Sequence, residues 1–305
     1  MKNYKSGFVT LIGRPNVGKS TLINKLIGEK ITITSPIAQT TRNKLKGILT
    51  SDKSQIIFVD TPGIHKPHHL LGEKLVKNAK SSISGVDLIL LIFDSNNPPG
   101  RGDQYIRDFL LSNKSKFIVV LNKWDLLNDD KKQIRFNEYK QIFEDKLLFF
   151  HKISALSGEG CTELINLIEK YLPNGPMLYP QNIISDHPLS SILSELVREQ
   201  VLLNTREEVP HSVAVKIEKI QEVKKQNQTK NITAVLATIV VEKKSQKGIL
   251  IGKNGTMLKT IGQSARNNMK KLIDGPVYLE LFVKVIPNWR KKESKLIEFG
   301  YEEEA

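Results

Sequence analysis

The chain of 305 residues holds a single cysteine, Cys161. A disulfide framework is excluded, and nothing calls for an oxidising compartment. Long hydrophobic runs are also missing. The apolar stretch that ends at Phe93 is less than half of the ~20 residues a membrane-spanning helix needs. Residues 1–6 are polar, so no secretory signal is read there. Acidic side chains are in deficit: 46 Lys and Arg stand against 32 Asp and Glu, a formal net charge of +14. What is present suits a soluble protein with real cores, 39% hydrophobic and 26% charged, and argues against wholesale disorder. At about 150 residues per domain, the length suggests two domains. These figures lead us to expect a cytosolic protein with an acidic partner.

The positive charge is unevenly spread. Residues 241–295 carry 13 basic and 4 acidic groups, partly masked downstream by Glu302, Glu303 and Glu304. A field of that density favours a polyphosphate partner, either nucleic acid or an anionic membrane surface, although a solvated lysine-rich face looks the same in sequence.

Residues 1–172 alternate strand-like and helix-like segments. Strands are expected at 8–12, 45–51, 55–59, 87–93, 116–121 and 149–153, mostly as continuous apolar runs of the kind buried on both faces of a mainly parallel sheet. Leu22, Ile23, Leu26 and Ile27 form one helical face, closed by Gly28, and Leu164, Ile165, Leu167 and Ile168 form another. The pattern implies an α/β domain with helices on both faces. Three prolines and a glycine at 173–180 then mark a linker over 173–187. Residues 188–288 read as a helix, two strands, two helices around a glycine loop and a last alternating strand, a small α+β domain. A tail follows at 289–305.

Gly13-Arg14-Pro15-Asn16-Val17-Gly18-Lys19-Ser20 fits G-x-x-x-x-G-K-[ST] between a strand and an amphipathic helix. The chemistry needs these residue types. Glycines let backbone N–H groups wrap a β-phosphate, and the helix N-terminus adds positive potential. Lys19 neutralises the β- and γ-phosphates, Ser20 supplies a hydroxyl to Mg²⁺, and Thr21 reaches the α-phosphate. Asp60-Thr61-Pro62-Gly63 ends a later strand, where a carboxylate can hold Mg²⁺ through water and the Gly63 N–H can meet the γ-phosphate. Asn122-Lys123-Trp124-Asp125 follows another strand. A buried Asp125 would accept from guanine N1–H and the 2-amino group, which adenine cannot match. Unpaired polar groups discriminate by a factor of about 10⁴. Asn122 is expected to brace neighbouring loops, the Lys123 stem to pack along the base, and Ala155 of Ser154-Ala155-Leu156 to donate its N–H to guanine O6.

With these motifs in order, residues 1–172 resemble a translation-factor-class GTPase domain. Thr40-Thr41-Arg42 matches the first switch motif. The resemblance implies that one threonine closes on Mg²⁺, and Thr41 is favoured over Thr40. The position after Gly63, where many GTPases carry a water-orienting glutamine, is Ile64. In GTPases that resemble this chain, an asparagine at the position of Asn16 accompanies a bound K⁺. Slow intrinsic turnover, stimulated by K⁺ and by bound RNA, is therefore expected, with Lys19, Thr41, Gly63 and Asn16 as the catalytic set.

Ile249-Leu-Ile251-Gly252-Lys253-Asn254-Gly255 joins an apolar lead-in to a G-x-x-G loop and a helix. It resembles the KH module of the type with two strands before the loop and one after, which clamps about four nucleotides of single strand. Ile249 and Ile251 would sit beside unstacked bases, and Gly252, Lys253, Asn254, Gly255 and Lys259 near phosphates.

A GTPase domain joined to a C-terminal KH domain resembles the Era family of bacterial ribosome-assembly GTPases. The run 13–26, Gln39-Thr-Thr-Arg42 and Trp289 with Phe299-Gly-Tyr301 all fit. The resemblance implies binding of GTP and GDP and of the single-stranded 3′ end of 16S ribosomal RNA, and a role in 30S subunit maturation. It further implies a monomer in the cytoplasm with loose contact at the inner membrane. Two rivals remain: an RNA-binding scaffold that senses guanine nucleotide with negligible hydrolysis, and a membrane-surface GTPase. His65, His68 and His69 lack a carboxylate or cysteine to complete a metal site and read as a solvated loop. Cys161 reads as packing. Trp289 reads either as a contact for a base or lipid headgroup, or as a helix start.

Overall fold

The computed structural model describes residues 4–35, 37, 40–42, 45–60, 85–112, 116–143, 149–223 and 231–301. The first sheet has the order β2-β3-β1-β4-β5-β6. Its strands are β1 (Lys5–Ile12), β2 (Leu45–Thr50), β3 (Ser54–Asp60), β4 (Leu88–Asp94), β5 (Phe117–Asn122) and β6 (Phe150–Lys152). All neighbours are parallel except β2 on β3. The helices are α1 (Lys19–Ile27), α2 (Arg101–Ser112), α3 (Asp129–Gln141) and α4 (Cys161–Tyr171).

The six expected strands are all present, and their apolar character has a simple origin. Successive side chains of a strand point to opposite faces. Along β4, Leu90 and Ile92 pack with Leu22 and Ile23 of α1 and Leu164 and Ile168 of α4. Ile89, Leu91 and Phe93 pack on the other face with Ile106 and Leu110 of α2 and Tyr139 of α3. Each such fully buried side chain contributes about 1.5–3 kcal/mol, so one continuous run feeds two cores. Cys161 lies in the first of them, as its packing role requires, and burial pushes its thiol pKa up.

The connecting segment is less free than its prolines suggest. Gly175 N–H donates to Tyr4 O (3.0 Å), Ile48 N–H donates to Ile184 O (2.9 Å), and the buried Gln55 side chain exchanges three hydrogen bonds with Leu178 and Tyr179. Lys46 pairs with Asp186 at 2.9 Å. Proline removes donors but leaves carbonyls, and the Ile184 carbonyl pairs with the open edge of β2.

The second sheet has the order β7 (Ala214–Val223), β8 (Ile232–Val241), β9 (Val277–Val285), antiparallel then parallel. One face is covered by α5 (Leu189–Asn204), α7 (Lys244–Ile251) and α8 (Thr256–Met269), and a short α6 (Val209–Ser212) precedes β7. The core joins Leu193, Val197 and Val201 to Val235, Ile239, Leu250, Ile261 and Met269. Ile33 of the first domain is buried in the same cluster.

The tail decides between the two readings of Trp289 in favour of a helix start. Trp289 opens a 3₁₀ turn, fully buried, and is closed to bases and lipid alike. Its indole N–H donates to Ser212 O (2.8 Å), and its ring stacks on Tyr301 and meets Phe299 edge-on. With Leu296 of α9 (Glu293–Glu298), these rings cover Ala214 and Val240 at one end of the second sheet.

Candidate nucleotide and nucleic-acid sites

The phosphate loop spans the turn from β1 into α1. Close packing dictates its glycines: a Cβ on Gly13 would lie 2.4 Å from Ile92 O, and one on Gly18 2.2 Å from Asn122 Nδ2. Arg14 is tied to the buried Asp103 of α2 at 2.8 Å. Asn16 adopts φ 65° at the exposed outer rim, beside Pro15. Lys19 is buried, its Nζ donating to Gly13 O (3.1 Å) and Arg14 O (3.0 Å). Burial pushes its pKa down to about 8, against the opposing pull of Asp60.

Three oxygens converge at the base of the loop. Ser20 Oγ lies 2.9 Å from Thr41 Oγ1 and donates to Asp60 Oδ2 at 2.9 Å, and Thr41 Oγ1 lies 3.2 Å from the same carboxylate oxygen. Two hydroxyls and a buried carboxylate are the hard donors Mg²⁺ selects, so these residues fit that ion. Thr40 does not join them: its hydroxyl donates to Ile37 O (2.6 Å). Thr61, Pro62, Gly63, Ile64, His65, His68 and His69 lie outside the described residues, as does Gln39.

On the base side, Asn122 braces two loops as expected. Its Nδ2 donates to Val17 O (2.8 Å) and its Oδ1 accepts from Ala155 N–H (2.9 Å). The amide expected to serve guanine O6 thus donates to the asparagine in this structure. Asp125 is exposed rather than buried, at the rim where water solvates its carboxylate. The Lys123 ammonium is paired to Asp94 at 2.6 Å. Ser154 is buried and its hydroxyl accepts from Ser157 N–H, while Leu156 stands 80% exposed.

These elements open on a cleft of about 1060 Å³. Pro15, Gly18, Ser20, Thr21 and Thr41 form one wall, and Glu199 and Gln200 of α5 with Ser264 and Asn267 of α8 form the other. The second domain therefore completes the pocket. Sequence reading missed this wall, and the signal was faint: Arg198-Glu199-Gln200 are three polar residues in mid-helix, all buried.

The second glycine loop turns at Gly252 (φ 70°, ψ 175°), runs through a 3₁₀ turn at Lys253–Gly255 with Asn254 at φ 52°, and enters α8 from Gly255. A Cβ on Gly252 would lie 2.8 Å from Met257 Cβ. Lys253, Asn254 and Lys259 are exposed. Ile249 is 51% exposed and Ile251 half-buried, while Leu250 between them is fully buried. An apolar edge thus flanks a glycine-bounded loop with cations beside it, the arrangement a single strand of nucleic acid requires. Among the described residues no group of three or more His, Cys, Asp or Glu could hold a metal, and no helix is long and apolar enough to cross a membrane.

Comparison with known proteins agrees with this geometry. Residues 8–123 match the family described as 50S ribosome-binding GTPase, and residues 208–290 match the KH domain. The chain is 54% identical over 300 residues to GTPase Era of Crocosphaera subtropica, covering 98% of this chain and 93% of that protein. It is 53% identical to GTPase Era of Nostoc sp., covering 98% and 90%. Among solved structures, an Era in complex with MgGDPNP and nucleotides 1506–1542 of 16S ribosomal RNA superposes with a TM-score of 0.91 at 39% identity, covering 98% of this chain and 99% of that one. A point variant of Aquifex aeolicus Era bound to GDP.AlF4⁻ gives a TM-score of 0.90, also at 39% identity, covering 97% and 99%.

Proposed function

The chain belongs to the GTPase Era family, and on that premise we propose that it couples GTP hydrolysis at the cleft to capture of the single-stranded 3′ end of 16S ribosomal RNA in 30S subunit maturation. The convergence of Ser20, Thr41 and Asp60 within 3.2 Å of one another carries the nucleotide half of this reading. Those three residues would hold Mg²⁺, which when bound would offset charge on the phosphates.

The chain's own groups do the rest. Loop amides from Gly13 to Thr21 cradle the phosphates, with Arg14, Pro15, Asn16 and Val17 setting the loop's path. Lys19 exchanges the Gly13 and Arg14 carbonyls for phosphate oxygens; a buried ammonium gains far more from an anion than from neutral acceptors. Asp125 selects guanine, and Asn122, Lys123, Ser154, Ala155 and Leu156 shape its seat. By the sequence motif, Thr61, Pro62 and Gly63 belong to the nucleotide site, with the Gly63 N–H assigned to the γ-phosphate.

With Ile64 in place of a water-orienting glutamine, turnover is slow until charge is offset otherwise. The resemblance assigns a K⁺ to the position of Asn16, where it would offset that charge. Hydrolysis several-fold faster in K⁺ than in Na⁺, with the difference lost in Asn16→Ala, is the expected result; equal rates in both salts remove the ion.

The second domain presents Ile249, Ile251, Gly252, Lys253, Asn254, Gly255 and Lys259 to RNA. GTP seats this domain, RNA binds, and hydrolysis releases it. The division at 172 and 188 rests on the proline-rich segment between them, and a monomeric state with loose inner-membrane contact rests on the resemblance; together with a cytoplasmic location they belong to the same proposal. Since Trp289 is buried, any lipid contact is made by other residues.

A further inference from the structure

Thr41 is followed by Arg42, whose side chain leaves the first domain. It is 2% exposed inside the second domain. There Nη1 donates to Val213 O (2.5 Å) and Nη2 to Pro210 O (3.0 Å). The guanidinium carbon stands 5.9 Å from the centre of the Tyr301 ring, which is itself stacked on Trp289. Just upstream, the Thr40 carbonyl accepts from Nη2 of Arg198 on α5. Arg198 is fully buried and held in place by Glu195, with Nε at 2.8 Å and Nη2 at 2.5 Å. Further upstream, Thr34 N–H donates to Glu199 Oε1 (2.9 Å), and Lys30 pairs with the same carboxylate at 2.5 Å.

These contacts bracket the threonine beside the phosphate loop. The peptide before Thr41 is held by one arginine of the second domain, and the residue after it is an arginine inserted into that domain. Neither contact is a surface ion pair of negligible worth. Arg42 is held by neutral carbonyls and a ring. Burial lowers its pKa, and the neighbouring Arg198 lowers it further against Tyr301 and Glu195. A desolvated cation of this kind is stabilised only while every acceptor is in place. Loss of any one of these contacts therefore weakens the rest of Arg42's seat.

We propose that Arg42 and Arg198 are positioning residues that fasten the chain on either side of Thr41 to the second domain, so that closure of the triphosphate site and seating of the RNA-binding domain are one event. The proposal rests on Thr41 being the switch threonine that ligates Mg²⁺. It differs from that reading in placing the control outside the nucleotide site. By linkage, whatever the second domain gains from the closed switch is returned as affinity for the triphosphate.

The test uses the full chain with Mg²⁺, a non-hydrolysable GTP analogue, GDP and a 16S 3′-terminal oligoribonucleotide. In Arg42→Gln and in Arg198→Gln, affinity for the analogue falls about tenfold, or about 1.4 kcal/mol, while GDP affinity stays within about twofold. The nucleotide dependence of RNA affinity shrinks by the same factor. Arg42→Lys restores part of the preference, because it keeps the charge and one donor. Tyr301→Leu, which leaves the guanidinium's hydrogen bonds to the main chain, gives a smaller shift of the same sign and serves if Arg42→Gln does not fold. Equal loss of analogue and GDP, or an unchanged ratio of the two in variants that melt normally, overturns the proposal. If the wild-type chain itself showed no Mg²⁺-dependent preference for the analogue, the assignment of Thr41 would fall with it.

Discussion

The chain has two glycine loops that lead into helices, and they are built on opposite principles. Apart from the exposed Asn16, residues 13–19 are held closely: Gly13 against β4, Gly18 against Asn122, Arg14 against Asp103, Lys19 folded over two carbonyls. Residues 252–255 are also bounded by glycines but stand open, with exposed Lys253 and Asn254. A polyphosphate with its metal is a small, fixed, highly charged ligand, and pre-ordered donors serve it best. A passing RNA backbone is long and variable, and needs room and close approach more than a rigid cage. Similar local sequence thus yields different sites, because the neighbours differ.

Substitutions at the two loops sharpen this contrast. The largest effect is expected from Gly18→Ala. A left-handed φ of 101° costs a side-chain residue about 1–2 kcal/mol, and the new Cβ meets Asn122 Nδ2 at 2.2 Å. That displaces the brace between Val17 and Ala155, so affinity for GTP and GDP falls by at least about 100-fold. Calorimetric titration reads it, and a loss under about tenfold would mean the loop is less constrained than described. Gly252→Asp comes next. It combines φ 70° with a close approach to Met257 and adds a carboxylate beside phosphates. RNA affinity should fall about 30-fold or more, with GTP affinity unchanged. Loss of both would break the separation between the loops, and unaltered RNA binding would refute the assignment of the second.

The smallest effect concerns the connecting segment. The pKa of Asp186 is raised by burial but lowered more by hydrogen bonds from His187 and Lys46, to about 2. Its folded-state value lies below the ordinary 3.8, so its stabilisation is present above about pH 4 and is lost as the pH falls toward 2. Because the carboxylate keeps partial access to water, Asp186→Asn is expected to remove about 1 kcal/mol or less near pH 7. The difference from wild type should vanish near pH 2 in chemical denaturation. A constant difference at both pH values would assign the effect to packing instead.

How much of the molecule is legible in its sequence depends on range. The phosphate loop, Asn122 and the run along β4 are local patterns that read directly. So does the second glycine loop, with its exposed Ile249. Trp289 does not, because its partners Ser212 and Tyr301 are set by how the tail folds back over β7 and β8. Arg42 and Arg198 escape for the same reason. Their acceptors are main-chain carbonyls of the opposite domain, and a carbonyl carries no sequence signature. The expectation of a buried Asp125 fails differently. A carboxylate whose complementary donors belong to a ligand stays solvated at the rim until those donors arrive.

The central claim is that the loop around Lys19 takes a magnesium triphosphate whose purine is chosen at Asp125. Competition of ATP against labelled GTP on the purified full chain in Mg²⁺ tests it most directly. GTP is expected to bind at least about 10³-fold more tightly than ATP. Equal affinity for the two, or binding of neither, would contradict it.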